Sequence, residues 1–478
     1  MNSGFDLVVR NGLVVTEAAS VAADVGVAGG RIAAIGRGLD RGVEEIDASG
    51  KLVLPGGIDS HCHVEQESST GLMTADDFYS ATVAAACGGV TTIVPFAAQH
   101  RGQDLREVAA RYRARARDKA VIDYAFHLIV SDPTPAAVAE HLPALIAEGY
   151  PSFKVYTTYD ALKLTDRQLL EVMALGARER AVVMVHAENA DAIAWAAERL
   201  VAAGHTAPRY HAESRPVAVE REAVHRVATL AGLTGATILV VHVSCREALD
   251  EIRAARARGV SILAETCPQY LALTVDELNR PGFEAAKFLC SPPLRDRPDL
   301  AALWEGLADG SIDVLSSDHA PYRLDDPAGK AVNGKDAPFT RIPNGVPGLE
   351  TCLPVVFSEG VGRGRITLAQ FVALSATNAA RIYGLLPRKG VIAVGADADI
   401  AIWDPERDTT ITNERLHHRM DYTAFEGMRV RGWPVVTISR GDVVWRDGAV
   451  AAQPGRGRFV ARAPAEHAAR RPKGTLQT

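Results

Sequence analysis

Apolar positions along this chain change their period twice. Over the first fifty-odd residues they come in short runs at 5–10, 12–16, 23–28 and 31–35, with Asn11-Gly12 and Gly29-Gly30 between them, a pattern of short strands and tight turns. Similar segments return only near the C-terminus, at 397–403, 434–439 and 442–445, the last followed by an Arg446-Asp447-Gly448 turn. Chain termini often lie close together, so the two ends are expected to complete one small all-β domain.

Between them, short β-like runs alternate with longer segments whose apolar residues recur at helical spacing. The predicted strands are 58–63, 91–96, 123–130, 152–158, 182–187, 238–244, 261–266 and 314–320. Predicted helices include 75–86, 104–118, 135–148, 166–178 and 246–258. Eight such alternations are what a TIM (β/α)8 barrel requires, and in that fold active-site residues gather at the C-terminal ends of the strands. A doubly wound sheet is the alternative, but no GxGxxG opens a βα turn.

The expected fold is therefore α/β, a TIM barrel with a second, smaller all-β domain built from both chain ends. Its parts are 1–54, 55–390, 391–450 and a C-terminal arm, 451–478. Residues 204–216 and 321–348 are rich in Gly, Pro and charge, and long irregular loops within a compact domain are usually functional or mobile. The Ala-, Arg- and Pro-rich arm is expected to be disordered or draped on a neighbouring subunit. No internal repeat is visible.

Composition narrows the class. The 478 residues, 47% of them hydrophobic, can bury a large core. A net charge of −6 without a basic stripe argues against nucleic acid and for a small-molecule partner. Six cysteines without a CxxC pair suit reduced thiols and a cytoplasmic protein. The start MNSGFDLVVRNG has neither a cationic segment nor an apolar signal core, and no run of eighteen apolar residues follows, so no membrane contact is expected.

Candidate chemistry begins at His61-Cys62-His63, at the end of the first predicted barrel strand. On an extended strand these two imidazoles share a face and can address one ion. The ends of other predicted strands add Lys154, His186, His242 and the pair Asp318-His319. Each has a bland reading alone, as a satisfied strand-end residue or a helix cap. Four strands placing ligand-type residues at the one end where barrel sites form point instead to a shared centre. Four histidines and an aspartate exceed the needs of one four-coordinate zinc, which suggests two metals. Lys154 is then either an outward solvated cation or an amine that has captured carbon dioxide. His319, one step beyond Asp318, is expected on the opposite face.

The segments PGGIDSHCHV, SFKVYTTY, VMVHAEN, VVHVS, CSPPLR, SSDHAPY and IPNGVPGLE together resemble the D-hydantoinase and dihydropyrimidinase family of cyclic amidohydrolases, over essentially the whole chain. The resemblance implies two Zn2+ per subunit, with other divalent metals admissible. One would sit on His61, His63, Asp318 and a carbamylated Lys154, the other on Lys154, His186 and His242, with hydroxide bridging them. It also implies that Asp318 moves a proton from that hydroxide to the leaving ring nitrogen. Tyr159 would donate to the developing oxyanion, and Ser291 and Asn344 would hold the substrate's amide edge. The implied reaction opens the ring amide of a hydantoin or 5,6-dihydropyrimidine to an N-carbamoyl amino acid, in a homotetramer.

Departures from the family pattern bear on the substrate. Glu65-Gln66-Glu67-Ser68-Ser69 replaces an acidic residue followed by Met-Pro, and Thr157-Thr158 stands where small or apolar residues are usual. The 65–69 stretch is expected to choose the ring substituent. No arginine follows His63 where dihydroorotases bind a carboxylate, which disfavours that activity. The remaining rivals are an allantoinase, a cyclic-imide hydrolase, and a non-catalytic assembly protein of the same fold.

Overall fold

The structure, a computed structural model, describes residues 4–68 and 70–464. Both chain ends contribute to one nine-stranded sheet. Its order runs Ala449–Val450, Asp442–Arg446, Arg429–Ser439, Ile400–Thr410, Leu52–Pro55, Phe5–Val15, Ser20–Ala28 and Arg31–Gly36, with Gly42–Asp47 also paired to Phe5–Val15. Leu52–Pro55 joins the two ends: it runs parallel to Phe5–Val15 on one edge and antiparallel to Ile400–Thr410 on the other. Side chains alternate between the faces. Ile400 and Ile402 pack with Leu7, Val25, Ile46 and Ile438, while Trp403 turns the other way and stacks on Phe357 at 5.0 Å.

The Asn11-Gly12 turn expected from the sequence is a bulge. Phe5–Val15 is one strand, with its register shifted between Val9 and Gly12. Asn11 takes φ 60° and gives its N–H to Asp24 Oδ1 at 3.0 Å, so the chain bends without reversing. A Cβ on Gly12 would meet Val53 Cγ2 at 2.3 Å, so only glycine fits there. Gly29-Gly30 does reverse the chain, with both residues left-handed. Gly42–Asp47 escapes sequence reading because only Ile46 is buried and Val43 is 92% exposed, leaving almost no apolar alternation.

The middle of the chain forms two runs of parallel strands. Gly57–Asp59, Val90–Ile93 and Asp123–Tyr124 make one. Phe96–Ala98, His127–Ile129, Ser152–Tyr156, Val182–His186, Ile238–Val240, Ile262–Thr266 and Val314–Leu315 make the other. Two strands of each run are successive parts of the same passage of chain, and Ala125 N–H to Ile93 O and His127 N–H to Pro95 O, both 3.0 Å, link them. At the far edge Cys62 bridges His319 in parallel, and His63 N–H donates to His319 O at 2.7 Å.

Helices lie between the strands and start on side-chain caps. The Asp77 carboxylate accepts from Tyr79 N and Ser80 N, and Thr165 with Gln168 forms a capping box ahead of Asp166–Glu179. Strand ends are shorter than predicted: Val314–Leu315 stops before Asp318, and Ile238–Val240 before His242. Asp318 at φ 48° and His242 at φ 40° are left-handed, a conformation costing on the order of 1–3 kcal/mol in such residues, so a turn rather than strand alternation aims both side chains.

The C-terminal arm is corrected for the residues described. Residues 451–464 are not free but dock on this chain's own parallel strands. Val460 N–H donates to Tyr124 O at 2.8 Å, and the Phe459 ring lies 5.2 Å from Tyr150 and 6.3 Å from Phe126. Aromatic burial outweighs the polar composition that suggested a solvated tail. Residues 465–478 lie outside the described residues. A cluster around the buried Lys389 joins the two sheets: its amine reaches Asp399 at 2.7 Å, Asp123 at 2.8 Å and Asp397 at 3.1 Å. Among the described residues, no helix is long and apolar enough to cross a membrane.

Candidate active site

At the C-terminal ends of the parallel strands opens a cavity of about 570 Å³, a size suited to a small ligand. His63, Lys154, His186, His242 and Asp318 line it, and His61 lies just beneath, fully buried. Tyr159, Ser291 and Asn344 line it too, so all nine side chains singled out in the sequence converge here. Donor atoms of His61, His242 and Asp318 lie within 4.8 Å of one another.

Outer partners fix which nitrogen of each imidazole faces inward. His61 Nδ1–H donates to Glu265 Oε1 at 2.5 Å, turning Nε2 toward Lys154 Nζ at 2.7 Å and Asp318 Oδ1 at 3.0 Å. His63 Nδ1–H donates to Gln66 Oε1 at 2.9 Å, leaving Nε2 3.3 Å from Asp318 Oδ1. His186 Nε2–H donates to Glu188 Oε2 at 2.8 Å, leaving Nδ1 2.9 Å from His242 Nε2. The inward nitrogens of His63 and His186 are therefore lone pairs in the neutral rings, while His61 Nε2 lies between an amine and a carboxylate. His242 Nδ1 is buried without a hydrogen-bond partner among the described residues.

Electrostatics favour the neutral form at three of the four imidazoles, whereas against burial and Lys154 the carboxylates of Glu265 and Asp318 raise His61 above its ordinary value. Burial lowers His63 to about 4 and pulls His186 and His242 below the ordinary imidazole value, so all three stay neutral at pH 7. Burial would raise Asp318, but His61 beside it holds it well below the usual carboxylate range. Burial also brings Lys154 down to about 8, so about a tenth of the amine is uncharged at pH 7. Inward lone pairs, an ionised carboxylate and a depressed lysine form a donor set that divalent cations would satisfy.

The opposite part of the cavity offers hydrogen bonds. Asn344 Nδ2 donates to Ser291 Oγ at 3.1 Å, and Asn344 Oδ1 is a buried acceptor without a partner among the described residues. Tyr159, left-handed at φ 66°, places its ring 5.3 Å from His186, and burial raises its hydroxyl so that it remains a donor. His319 turns away from the donors: Nε2 lies 3.1 Å from Asp76 Oδ2, and Nδ1 accepts from Gly348 N.

Two sequence expectations fail in detail. Glu65 does not face the cavity: at φ 46° it swings to Lys119 Nζ, 2.7 Å away, while Gln66 and Ser68 line the wall. Ser69 lies outside the described residues. Thr157 and Thr158 do not line this cavity; Thr157 Oγ1 bonds Glu188 O at 2.8 Å. Sequence reasoning also missed Glu265 and Glu188. Glu265 is the last residue but one of the parallel strand Ile262–Thr266, where the strand-end rule could have found it. Glu188, two residues after His186, is held below the usual range at about 2, with Arg215 and His186 outweighing burial.

Comparisons with known proteins agree in direction. The Amidohydrolase family description matches residues 52–444. A D-hydantoinase of Rhizobium radiobacter is 45% identical over 455 residues, covering 95% of this chain and 98% of that protein. A D-hydantoinase of Ralstonia pickettii is 44% identical, covering 96% and 99%. The crystal structure of a dihydropyrimidinase from Brevibacillus agri superposes with a TM-score of 0.93 at 41% identity, covering 96% of this chain and 99% of that one.

Proposed function

The chain belongs to the amidohydrolase family, and from that premise we propose that it opens the ring amide of a hydantoin or 5,6-dihydropyrimidine, releasing an N-carbamoyl amino acid. It is a hydrolase of cyclic amides; the ring, the metals and the roles below are our reading. We read the parallel runs as a (β/α)8 barrel over 55–390, supported by the Cys62–His319 bridge between first and last strands, with 1–54 and 391–450 as the second domain. Six reduced, buried cysteines support a cytoplasmic setting, and the family resemblance supports a homotetramer.

The observation that carries the chemistry is the unpartnered buried acceptor at the cavity wall. A ring amide is held cis and presents N–H and C=O on one edge. Asn344 Oδ1 can accept that N–H. Ser291 Oγ accepts from Asn344 Nδ2, and its hydroxyl lies within hydrogen-bond reach of Tyr159 on the same wall. His61, His63, Asp318 and a carbamylated Lys154 would hold one divalent ion, and Lys154, His186 and His242 the second. When bound, such ions supply acidified water as nucleophile and polarise the scissile carbonyl.

The protein's own groups do the rest. Asp318, kept ionised between His61 and His63, can take a proton at Oδ1 and return it to the departing ring nitrogen. The Tyr159 hydroxyl donates to the carbonyl oxygen as negative charge builds there. Incubation with hydantoin, dihydrouracil, allantoin and succinimide, alongside metal analysis, tests the reading. Expected are turnover of at least one of the first two and close to two metal equivalents per chain. Turnover of only allantoin or succinimide would move the assignment, and a metal-free, inactive protein would favour the assembly role.

A further inference from the structure

Beside the metal donors one polar side chain remains half committed. Gln66 is anchored by its backbone, which exchanges two 3.0 Å hydrogen bonds with Thr74, one to the Thr74 hydroxyl and one from its N–H. Its Oε1 is fixed by His63 Nδ1–H at 2.9 Å. An amide whose oxygen is pinned has its nitrogen pinned as well, so the two Nε2 hydrogens point away from His63, and Gln66 lines the cavity. No hydrogen-bond partner for Nε2 is present among the described residues. Hydroxyls continue this wall: Ser68 and Thr70 lie 2.9 Å apart, and Tyr322 lines the cavity with them. Ser68 Oγ already accepts from Thr70 N and Leu72 N, while the Gln66 amide is the cavity-lining group bonded directly to His63.

We propose that Gln66 is a specificity residue whose amide donates to an oxygen on the ring substituent, so that the preferred substrates are cyclic ureides bearing a short hydroxyl- or carbonyl-containing side chain. The inference rests on the ring-opening reading above. Through its other end Gln66 also positions His63, which ties substituent recognition to the metal site. A substituent without an acceptor leaves the amide facing a desolvated wall, and that difference sets the discrimination.

The test compares 5-(hydroxymethyl)hydantoin with 5-ethylhydantoin, which differ by a hydroxyl for a methyl. Unsubstituted hydantoin and dihydrouracil serve as references. In the parent enzyme kcat/KM is expected to favour the hydroxymethyl compound by about tenfold, the scale of one net hydrogen bond. Gln66→Glu keeps an acceptor for His63 but has no donor, and Gln66→Leu has neither. The preference should collapse toward one in Gln66→Leu, whereas zinc retention against a chelator should fall in Gln66→Leu and much less in Gln66→Glu. Equal kcat/KM for the two compounds in the parent, or an undiminished preference in Gln66→Leu, overturns the proposal while turnover of the references upholds the ring-opening reading. Failure to open any of the four rings overturns both.

Discussion

Replacing Glu265 should weaken metal binding without unfolding the protein. The side chain is fully buried, and its Oε1 takes the His61 Nδ1–H at 2.5 Å and the backbone N–H of His242 at 3.3 Å. One carboxylate thus orients residues from both halves of the proposed two-metal centre. Glu265→Leu leaves His61 free to rotate and to exchange tautomers, so its inward lone pair is no longer guaranteed. Loss of an outer partner of this kind costs about 10–100-fold in metal affinity, or about 1.4–2.7 kcal/mol. A charge-assisted hydrogen bond at a buried site is worth about 1.5–3 kcal/mol, which places the leucine variant near the upper figure. Glu265→Gln keeps an acceptor while losing the charge, and about tenfold is expected. Zinc titration against a chromophoric chelator reads both values, with thermal melts of the metal-free proteins as the control. A leucine variant binding zinc within threefold of the parent would refute the claim that Glu265 sets the His61 tautomer.

Two further outcomes concern stability. Lys389→Met should cost about 3–5 kcal/mol in urea unfolding at pH 7, because three buried carboxylates lose their shared cation; a loss below about 1 kcal/mol would show that the cluster relaxes. Asp76 is held at about 2 by His319 and Ser80 despite its burial, below the ordinary aspartate value of 3.8. A depressed carboxylate stabilises the fold above its unfolded value and loses that contribution as pH falls toward 2, here about 2 kcal/mol. Asp76→Asn should therefore lose about that much at pH 6 and much less at pH 2.5; an equal gap at both would contradict the assignment.

The proposed metal donors were legible in the sequence because each sits in or just after a short apolar run, and parallel strands send their C-terminal ends to one place. His61, His63, Lys154, His186, His242 and Asp318 needed only that rule to be drawn together. Their outer partners were harder to see, since Gln66, Glu188 and Glu265 act through hydrogen bonds to side chains that the chain brings near only on folding. Backbone strain was equally hidden: nothing in a local pattern marks His242, Asp318 or Glu65 as left-handed. Glu65 misled for that reason, because one positive φ sends a polar side chain to Lys119 and away from the cavity. The arm misled through composition, since a few buried aromatic contacts decided its place among many polar residues.

Leu52–Pro55 carries a consequence for the order of events on the ribosome. One edge of this strand meets Phe5–Val15, which leaves the exit tunnel first, and the other waits for Ile400–Thr410. At about 5–20 residues per second the roughly 350 intervening residues take tens of seconds to make. Through that interval a strand whose four residues are all buried in the finished fold stands half-paired, with its free edge open to other chains. A message truncated before codon 400 would release that edge permanently, so nascent-chain length should govern this protein's aggregation more sharply than its final stability does.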